Sequence, residues 1–208
     1  HFFDYDKLGE NIIVREASDG EQITTLDGIE RILTKDDIVI CDKEKPVAIA
    51  GVMGGESTEV LESTKNILIE SAIFNPLNVR YTSIRLGLRS ESSIRFEKGL
   101  NYEYTSLALD RACHLLEKYA SGNVTSSKTI YDKVDKTVKK ATVSLDKINR
   151  VLGIEVPEKE VDHIFERLGY TYTKKDKVYD VTIPNRAMDV KITEDLIEEI
   201  GRIYGYDK

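Results

Sequence analysis

The sequence predicts an α+β chain in two parts, a layered sheet-and-helix domain over residues 1–132 and a small α+β domain over 133–208. Three observations lead there. Residues 4–49 are short β-rich runs divided by turn residues, helical spacing begins at Pro76, and the apolar pattern thins between Val124 and Lys140, where Ser, Thr, Lys and Asp dominate.

Taken in order, the first strand candidates are Ile12-Ile13-Val14, Gln22-Ile23-Thr24-Thr25, residues 29–33, Ile38-Val39-Ile40 and Val47-Ala48-Ile49. Asp19-Gly20, Asp27-Gly28, Lys35-Asp36-Asp37 and Lys45-Pro46 separate them, and Asp27-Gly28 between two apolar runs is the strongest hairpin signal. A three-glycine turn follows, Ala50-Gly51-Val52-Met53-Gly54-Gly55, where backbone can approach a ligand because no Cβ intervenes. Asn66-Ile67-Leu68-Ile69 lacks alternation and so reads as a buried strand, ending on the carboxylate of Glu70.

Asn75-Pro76 is an N-cap followed by Pro at the first helical position, which predicts a helix over 76–86 that stops near Gly87. A longer helix is expected over 102–120, with Tyr104, Leu107, Ala108, Ala112, Leu115 and Tyr119 packing on the sheet and Gly122 at C′. Thr129-Ile130-Tyr131 is a possible strand before the boundary. Beyond it come a strand over 141–144, a capped helix over 146–152, and a helix begun by Pro157 with Val161, Ile164, Phe165 and Leu168 on one face. Strands over 170–173 and 177–183 then precede a helix striped by Leu196, Ile197, Ile200, Ile203 and Tyr204, an order that suits a winged-helix-like unit.

Composition narrows the function classes. With 40% hydrophobic and 32% charged residues the chain is ordinary globular protein, and no apolar stretch approaches the ~20 residues that span a bilayer. No signal-peptide pattern is visible, and the opening His1-Phe2-Phe3-Asp4 without Met is that of a fragment. Cys41 and Cys113 are isolated, so a reducing cytoplasm is expected. A net charge of −7 argues against gripping nucleic acid with the whole surface, while a local basic face is permitted.

Three motifs stand together: the turn over 50–55, the run Leu68-Ile69-Glu70-Ser71-Ala72-Ile73-Phe74-Asn75-Pro76, and the segment from Leu86-Gly87-Leu88-Arg89-Ser90-Glu91-Ser92 to Arg95-Phe96-Glu97-Lys98-Gly99. In this order they resemble the editing domain of bacterial-type phenylalanyl-tRNA synthetase beta subunits, and the C-terminal third resembles the small domain that follows it. The resemblance covers nearly the whole chain. It implies a domain that hydrolyses mischarged Tyr-tRNA(Phe), within a cytoplasmic phenylalanine-tRNA ligase of two alpha and two beta subunits that uses ATP and Mg²⁺. The synthetic site is then on alpha, since no nucleotide-binding motif is present here, and the family's editing domain begins upstream of His1.

The chemistry explains why a second site is needed: an apolar pocket rejects a ligand that merely adds a hydroxyl by only ~10²-fold. In the resemblance Glu70 accepts the tyrosine phenol, a charge-assisted bond that a bare phenyl ring would leave unmade. Gly54, with Gly51 and Gly55, presents N–H groups to the substrate, and His1, from a His-x-Phe-Asp motif, positions water or the terminal ribose. Ser90, Glu91 and Ser92 line the far side, Ser92 replacing the usual small apolar residue and Ile94 the usual His or Tyr. No nucleophile is implied, and His114 and His163 sit within helical patterns that suit surface or packing roles.

Arg85, Arg89 and Arg95, with Arg80 and Lys98, concentrate positive charge that suits tRNA phosphates or, equally, salt bridges to Glu91 and Glu97. In the second domain Asp195, Glu198 and Glu199 fall at i, i+3 and i+4, with Asp189 just before. Hard oxygen donors on one face suit Mg²⁺, and acids near a helix N-terminus are also favourable by themselves. The resemblance makes these four a magnesium-binding segment shared with the alpha subunit. The alternatives are a noncatalytic RNA- or protein-binding module and a metal-dependent hydrolase built on that acidic cluster.

Overall fold

The structure, a computed structural model, describes residues 1–43, 45–125 and 128–206. The chain divides into two units, His1–Thr129 and Ile130–Lys208. Each has apolar side chains enough to bury its own core.

In the first unit β1 (Phe2–Asp4) and a 3-10 turn lead to β2 (Ile12–Glu16), β3 (Gln22–Thr24), β4 (Glu30–Ile32), β5 (Ile38–Asp42), β6 (Lys45–Ile49) and β7 (Met53–Gly54). The main sheet is antiparallel in the order β2-β5-β6-β7. Alternation on β5 sends Val39 and Cys41 to one core and Ile40 to another, so this strand is buried on both faces. The Asp27-Gly28 hairpin forms as expected between β3 and β4: Gly28 is left-handed at φ +73 and donates its N–H to Thr25 O at 2.8 Å.

The strand β8 (Ile67–Ile69) differs from expectation. It pairs with β1 alone, as a two-stranded ribbon, and Ile67 is 37% exposed. An apolar run of three residues does not distinguish a central strand from an edge pair; the partner decides.

After β8 the chain is helical. In α1 (Pro76–Arg85) the Asn75 side chain accepts from the N–H groups of Leu77 and Asn78, and Val79 enters the core. A helix not anticipated from the sequence, α2 (Glu91–Phe96), opens with a reciprocal capping box between Ser90 and Ser93. In α3 (Glu103–Ala120) no side chain is fully buried, and Leu107 and Tyr119 are exposed. Its expected packing on the sheet is not observed, because Phe3 and Leu68 cover one side of the sheet while Val79 and Leu88 cover the other. The left-handed residue that ends α3 is Ser121, at φ +52, one position before the expected Gly122. Residues 129–131 form no strand.

The second unit runs β9 (Lys139–Ser144), α4 (Leu145–Leu152), α5 (Glu158–Arg167), β10 (Thr171–Lys175), β11 (Val178–Ile183) and α6 (Thr193–Tyr204), with an antiparallel sheet ordered β10-β11-β9. This is the strand, helices, hairpin, helix order read from the sequence. Val161, Ile164 and Phe165 from α5 and Leu196, Ile197 and Ile200 from α6 meet Val143, Tyr179 and Val181 of the sheet. Stripes at helical spacing and alternating strand residues thus close one core.

Asp37, 1% exposed, ties the sheet to α1: it accepts from the Thr34 N–H at 2.8 Å, from the Thr82 hydroxyl at 2.6 Å and from the Arg85 guanidinium. Removing the acid strands all three donors. Asp37→Ala is therefore expected to destabilise the first unit by roughly 3 kcal/mol, and Thr82→Val by about 1 kcal/mol, in urea denaturation. A loss below ~1 kcal/mol for Asp37→Ala would show that this network does not hold α1 in place.

Candidate functional site

The site is built on the β1–β8 ribbon. Phe3 pairs with Leu68 in register, and both pack into the core beside Ile40, Val47 and Ala48. Side chains two residues away share their faces, which places His1 and Glu70 together at the open end. The backbone continues the ladder there, with the Glu70 N–H donating to His1 O at 2.9 Å and the His1 ammonium donating to Glu70 O at 2.7 Å.

A cavity of about 230 Å³ opens beside this pair. His1, Gly54, Glu70 and Ser92 all line it, so four residues spread over the first 92 positions converge. Phe74 and Phe96, with ring centroids 5.6 Å apart, and Met53 add apolar wall. The sequence reading did not assign these three. Phe74 and Phe96 lie inside the recognised motifs, and only the fold shows that they border a void as well as packing against the core.

Glycines make the opposite wall by omission. A Cβ on Gly54 would stand 2.3 Å from His1 Cε1, and one on Gly51 would stand 2.9 Å from Val79 Cγ2 and 3.1 Å from Phe96 Cγ. Gly51 is also left-handed at φ +69, which other residues adopt only with strain. The anticipated presentation of N–H groups by Gly55 is not observed: that N–H donates to Val47 O at 2.7 Å, prolonging the sheet. The His1 ring, far from loose, lies against Gly54 and makes an edge contact with Phe3 at 4.6 Å between centroids.

Ser90 is absent from the cavity wall. Its hydroxyl donates to Val52 O at 2.5 Å and accepts from the Ser93 N–H at 3.0 Å, so it joins α2 to the glycine turn. Ser92 does reach the cavity, donating to Gly51 O at 3.0 Å. Burial raises the Glu70 carboxyl above the ordinary glutamate range, opposed by the His1 ammonium 3.7 Å away. An acid held thus, facing aromatic walls, is suited to bonding a hydroxyl on a ring.

The expected basic residues separate. Arg85 turns to the buried Asp37 and to Ile32 O, and Arg95 pairs with Glu91 on its own helix at 2.7 Å. Arg89 meets Glu97 at 3.4 Å and stays 70% exposed. His114 and His163 are exposed.

Comparison with known proteins bears on the whole chain. A family model described as the B3/4 domain matches residues 1–121, and one described as the tRNA synthetase B5 domain matches residues 141–206. Beta subunits of phenylalanine-tRNA ligase from Staphylococcus saprophyticus and from Staphylococcus aureus (strain Mu50) are each 48% identical over the full chain. The chain belongs to the phenylalanine-tRNA ligase beta-subunit family. It spans about a quarter of those relatives, 26% of each. In fold it is similar to the crystal structure of an N-terminal fragment of the phenylalanyl-tRNA synthetase beta subunit from Pyrococcus horikoshii. That likeness has a TM-score of 0.50 at 19% identity, covering 99% of this chain and 59% of the other. No helix among the described residues is long and apolar enough to cross a membrane.

The magnesium segment implied by this family was tested against the second unit. Among the described residues no group of three or more His, Cys, Asp or Glu side chains converges as metal ligands. Asp195 accepts instead from the N–H groups of Lys191 and Ile192 at 2.7 and 2.9 Å, capping α6, and Glu199 pairs with Arg202 at 2.7 Å. With these two committed elsewhere, Asp189, Asp195, Glu198 and Glu199 do not form an ion site in this chain by themselves.

Two outcomes follow for the cavity. Because the folded-state pKa of Glu70 is raised, the penalty for ionising it is absent below the ordinary glutamate pKa and complete above the folded one. Glu70→Gln is thus expected to raise stability at neutral pH relative to the parent, with the gain vanishing as pH falls to 4; an unchanged difference across that range contradicts the burial argument. Gly54→Ala leaves an unstrained backbone, since φ there is not left-handed, and displaces the imidazole. A shifted His1 Cε1–H resonance with under ~1 kcal/mol lost is expected; an unmoved resonance would mean the ring does not occupy that place.

Proposed function

We propose that the first unit hydrolyses tyrosine from mischarged Tyr-tRNA(Phe), as the editing part of a phenylalanine-tRNA ligase beta subunit. The observation that carries this reading is that Glu70 and Gly54 line one cavity with aromatic and apolar walls. A cavity of about 230 Å³ suits one amino-acid side chain and is below the ~300 Å³ where drug-sized sites begin. Ionised Glu70 accepts from the phenol. Phenylalanine in the same place offers no hydroxyl, so that bond goes unmade at a cost of about 1–3 kcal/mol, or roughly 5- to 150-fold.

Hydrolysis needs no covalent intermediate. Water adds to the ester carbonyl, and the tetrahedral species collapses with loss of the terminal ribose hydroxyl, leaving free tyrosine and tRNA. The Ser92 hydroxyl donates to Gly51 O, which directs its proton to the backbone and not to a base. His1, beside Gly54 and Glu70, is placed to hold the water or the ribose. By the same reading, the whole protein joins phenylalanine to tRNA(Phe) with ATP and Mg²⁺, together with an alpha subunit in a cytoplasmic heterotetramer of two alpha and two beta chains. The Staphylococcus relatives, both phenylalanine-tRNA ligase beta subunits, support the ligase and the beta-subunit part of it.

Single-turnover deacylation of Tyr-tRNA(Phe) and Phe-tRNA(Phe) tests the proposal, using the full beta subunit with its alpha partner. The parent is expected to prefer the tyrosyl ester by at least about tenfold, and Glu70→Ala to lose that preference. The preference should also fade on acidification, beginning above the ordinary glutamate range because burial raises this carboxyl. Equal, slow rates for both esters in parent and variant would leave a noncatalytic RNA- or protein-binding module.

A further inference from the structure

A second concavity, of about 510 Å³, opens between the last turns of α1, the loop after it and the residues that follow α2. Arg80, Arg89 and Lys98 line it with a single carboxylate, Glu97. That balance is the reverse of the chain as a whole, whose net charge is −7. Neither the Arg80 nor the Lys98 side chain has a hydrogen-bond or ion-pair partner among the described residues. The Arg89–Glu97 pair is long at 3.4 Å and its guanidinium is largely solvated, so it holds Arg89 weakly.

Other features make the cleft receptive to an anion. Helix C-termini ordinarily repel negative charge through their free carbonyls. Here the carbonyls of Thr82, Ser83 and Ile84 accept from the N–H groups of Leu86, Leu88 and Gly87, and those of Arg95 and Phe96 accept from Lys98 and Gly99. Gly87 leaves open space above the backbone, since a Cβ there would meet nothing within 4 Å. The cleft is also larger than one small oxyanion needs, which favours a chain of phosphates.

Its position relates it to the first cavity. Ser92 and Phe96 of α2 face that cavity, while Glu97 and Lys98, directly after the helix, line the cleft. From Ser92 to Lys98 the rise is roughly 9 Å at 1.5 Å per residue.

We propose that this cleft binds the phosphodiester backbone of single-stranded RNA, guiding the strand whose aminoacyl end enters the first cavity; the guiding role rests on the editing reading, while the phosphate site does not. Arg80, Arg89 and Lys98 act as point contacts to phosphate and read no base. Glu97 opposes them, lowering affinity for unproductive RNA.

The test is binding of a short single-stranded RNA ending in CCA to the chain over a series of KCl concentrations, with inorganic phosphate as competitor. The double variant Arg80→Gln with Lys98→Gln is expected to weaken binding about tenfold near 0.1 M salt and to reduce the slope of log K against log salt by about 1.4. Glu97→Gln is expected to tighten binding, a change of opposite sign that misfolding does not produce. RNA binding left unchanged by the double variant overturns the proposal. So does inorganic phosphate that competes as well, mole for mole, as the RNA, which would mark a small-anion site. In the editing assay of the full enzyme, the double variant should slow deacylation with the tyrosine preference intact, whereas Glu70→Ala removes the preference with RNA affinity intact. Absence of any tyrosine preference in the parent enzyme, with the cleft's RNA binding as expected, would therefore count against the editing chemistry alone.

Discussion

The pairing of β1 with β8 is the constraint on which the candidate site depends. These strands are short, three residues each, and have no other neighbour in a sheet. Phe3 and Leu68 compensate by burying their side chains against the main sheet. Hydrophobic burial of that one register position fixes the next pair outward, His1 and Glu70, because a slip of one residue would turn both side chains to the opposite face. Asp4 secures the other end, accepting from the Thr64 hydroxyl at 2.7 Å and so holding the loop that leads into β8. The acid is thus set by a ribbon that is itself set by core packing.

The facing wall depends on what is missing. Gly51 and Gly54 stand where any side chain would collide with Phe96, Val79 or His1. Closeness of backbone to ring creates a narrow slot, and α2 closes it. The capping box of α2 and the Ser90 bond to Val52 join this helix to the turn, so the glycine wall and the Ser92–Phe96 wall move as one piece. Ser83, buried and bonded to Leu88 O at 2.8 Å and to Ser93 at 3.2 Å, extends the same polar seam to α1. A pocket framed this way is pre-organised: its polar groups are committed to structure, and Glu70 is the carboxylate left for a ligand.

Charge is divided by role in the same unit. Arg85 serves the fold through Asp37, and Arg95 stabilises its own helix, whereas the side chains of Arg80 and Lys98 have no partner among the described residues and share a concave surface. The second unit makes the parallel division among its acids. Asp195 caps α6 and Glu199 neutralises Arg202, each a local task satisfied by sequence neighbours. A cluster of like charges in sequence is therefore not by itself a cluster in space; hydrogen-bond demand at helix ends engages its members one by one.

The elements of the second unit were legible from sequence because its helices each bury one stripe and β9 and β11 alternate, so periodicity and packing coincide at Val161, Ile164, Phe165, Leu196 and Ile200. The Asn75-Pro76 start of α1 and the Asp27-Gly28 hairpin were legible for a local reason too, since capping and turn geometry are fixed within four residues. What tertiary structure alone decided is whatever needed a partner distant in the chain. That includes the edge position of β8, the exposure of α3, the commitment of Arg85 to Asp37, and the opening of a cavity beside Phe74 and Phe96. Local patterns state which side chains seek burial; the supply of covering surface elsewhere in the chain determines which of them obtain it.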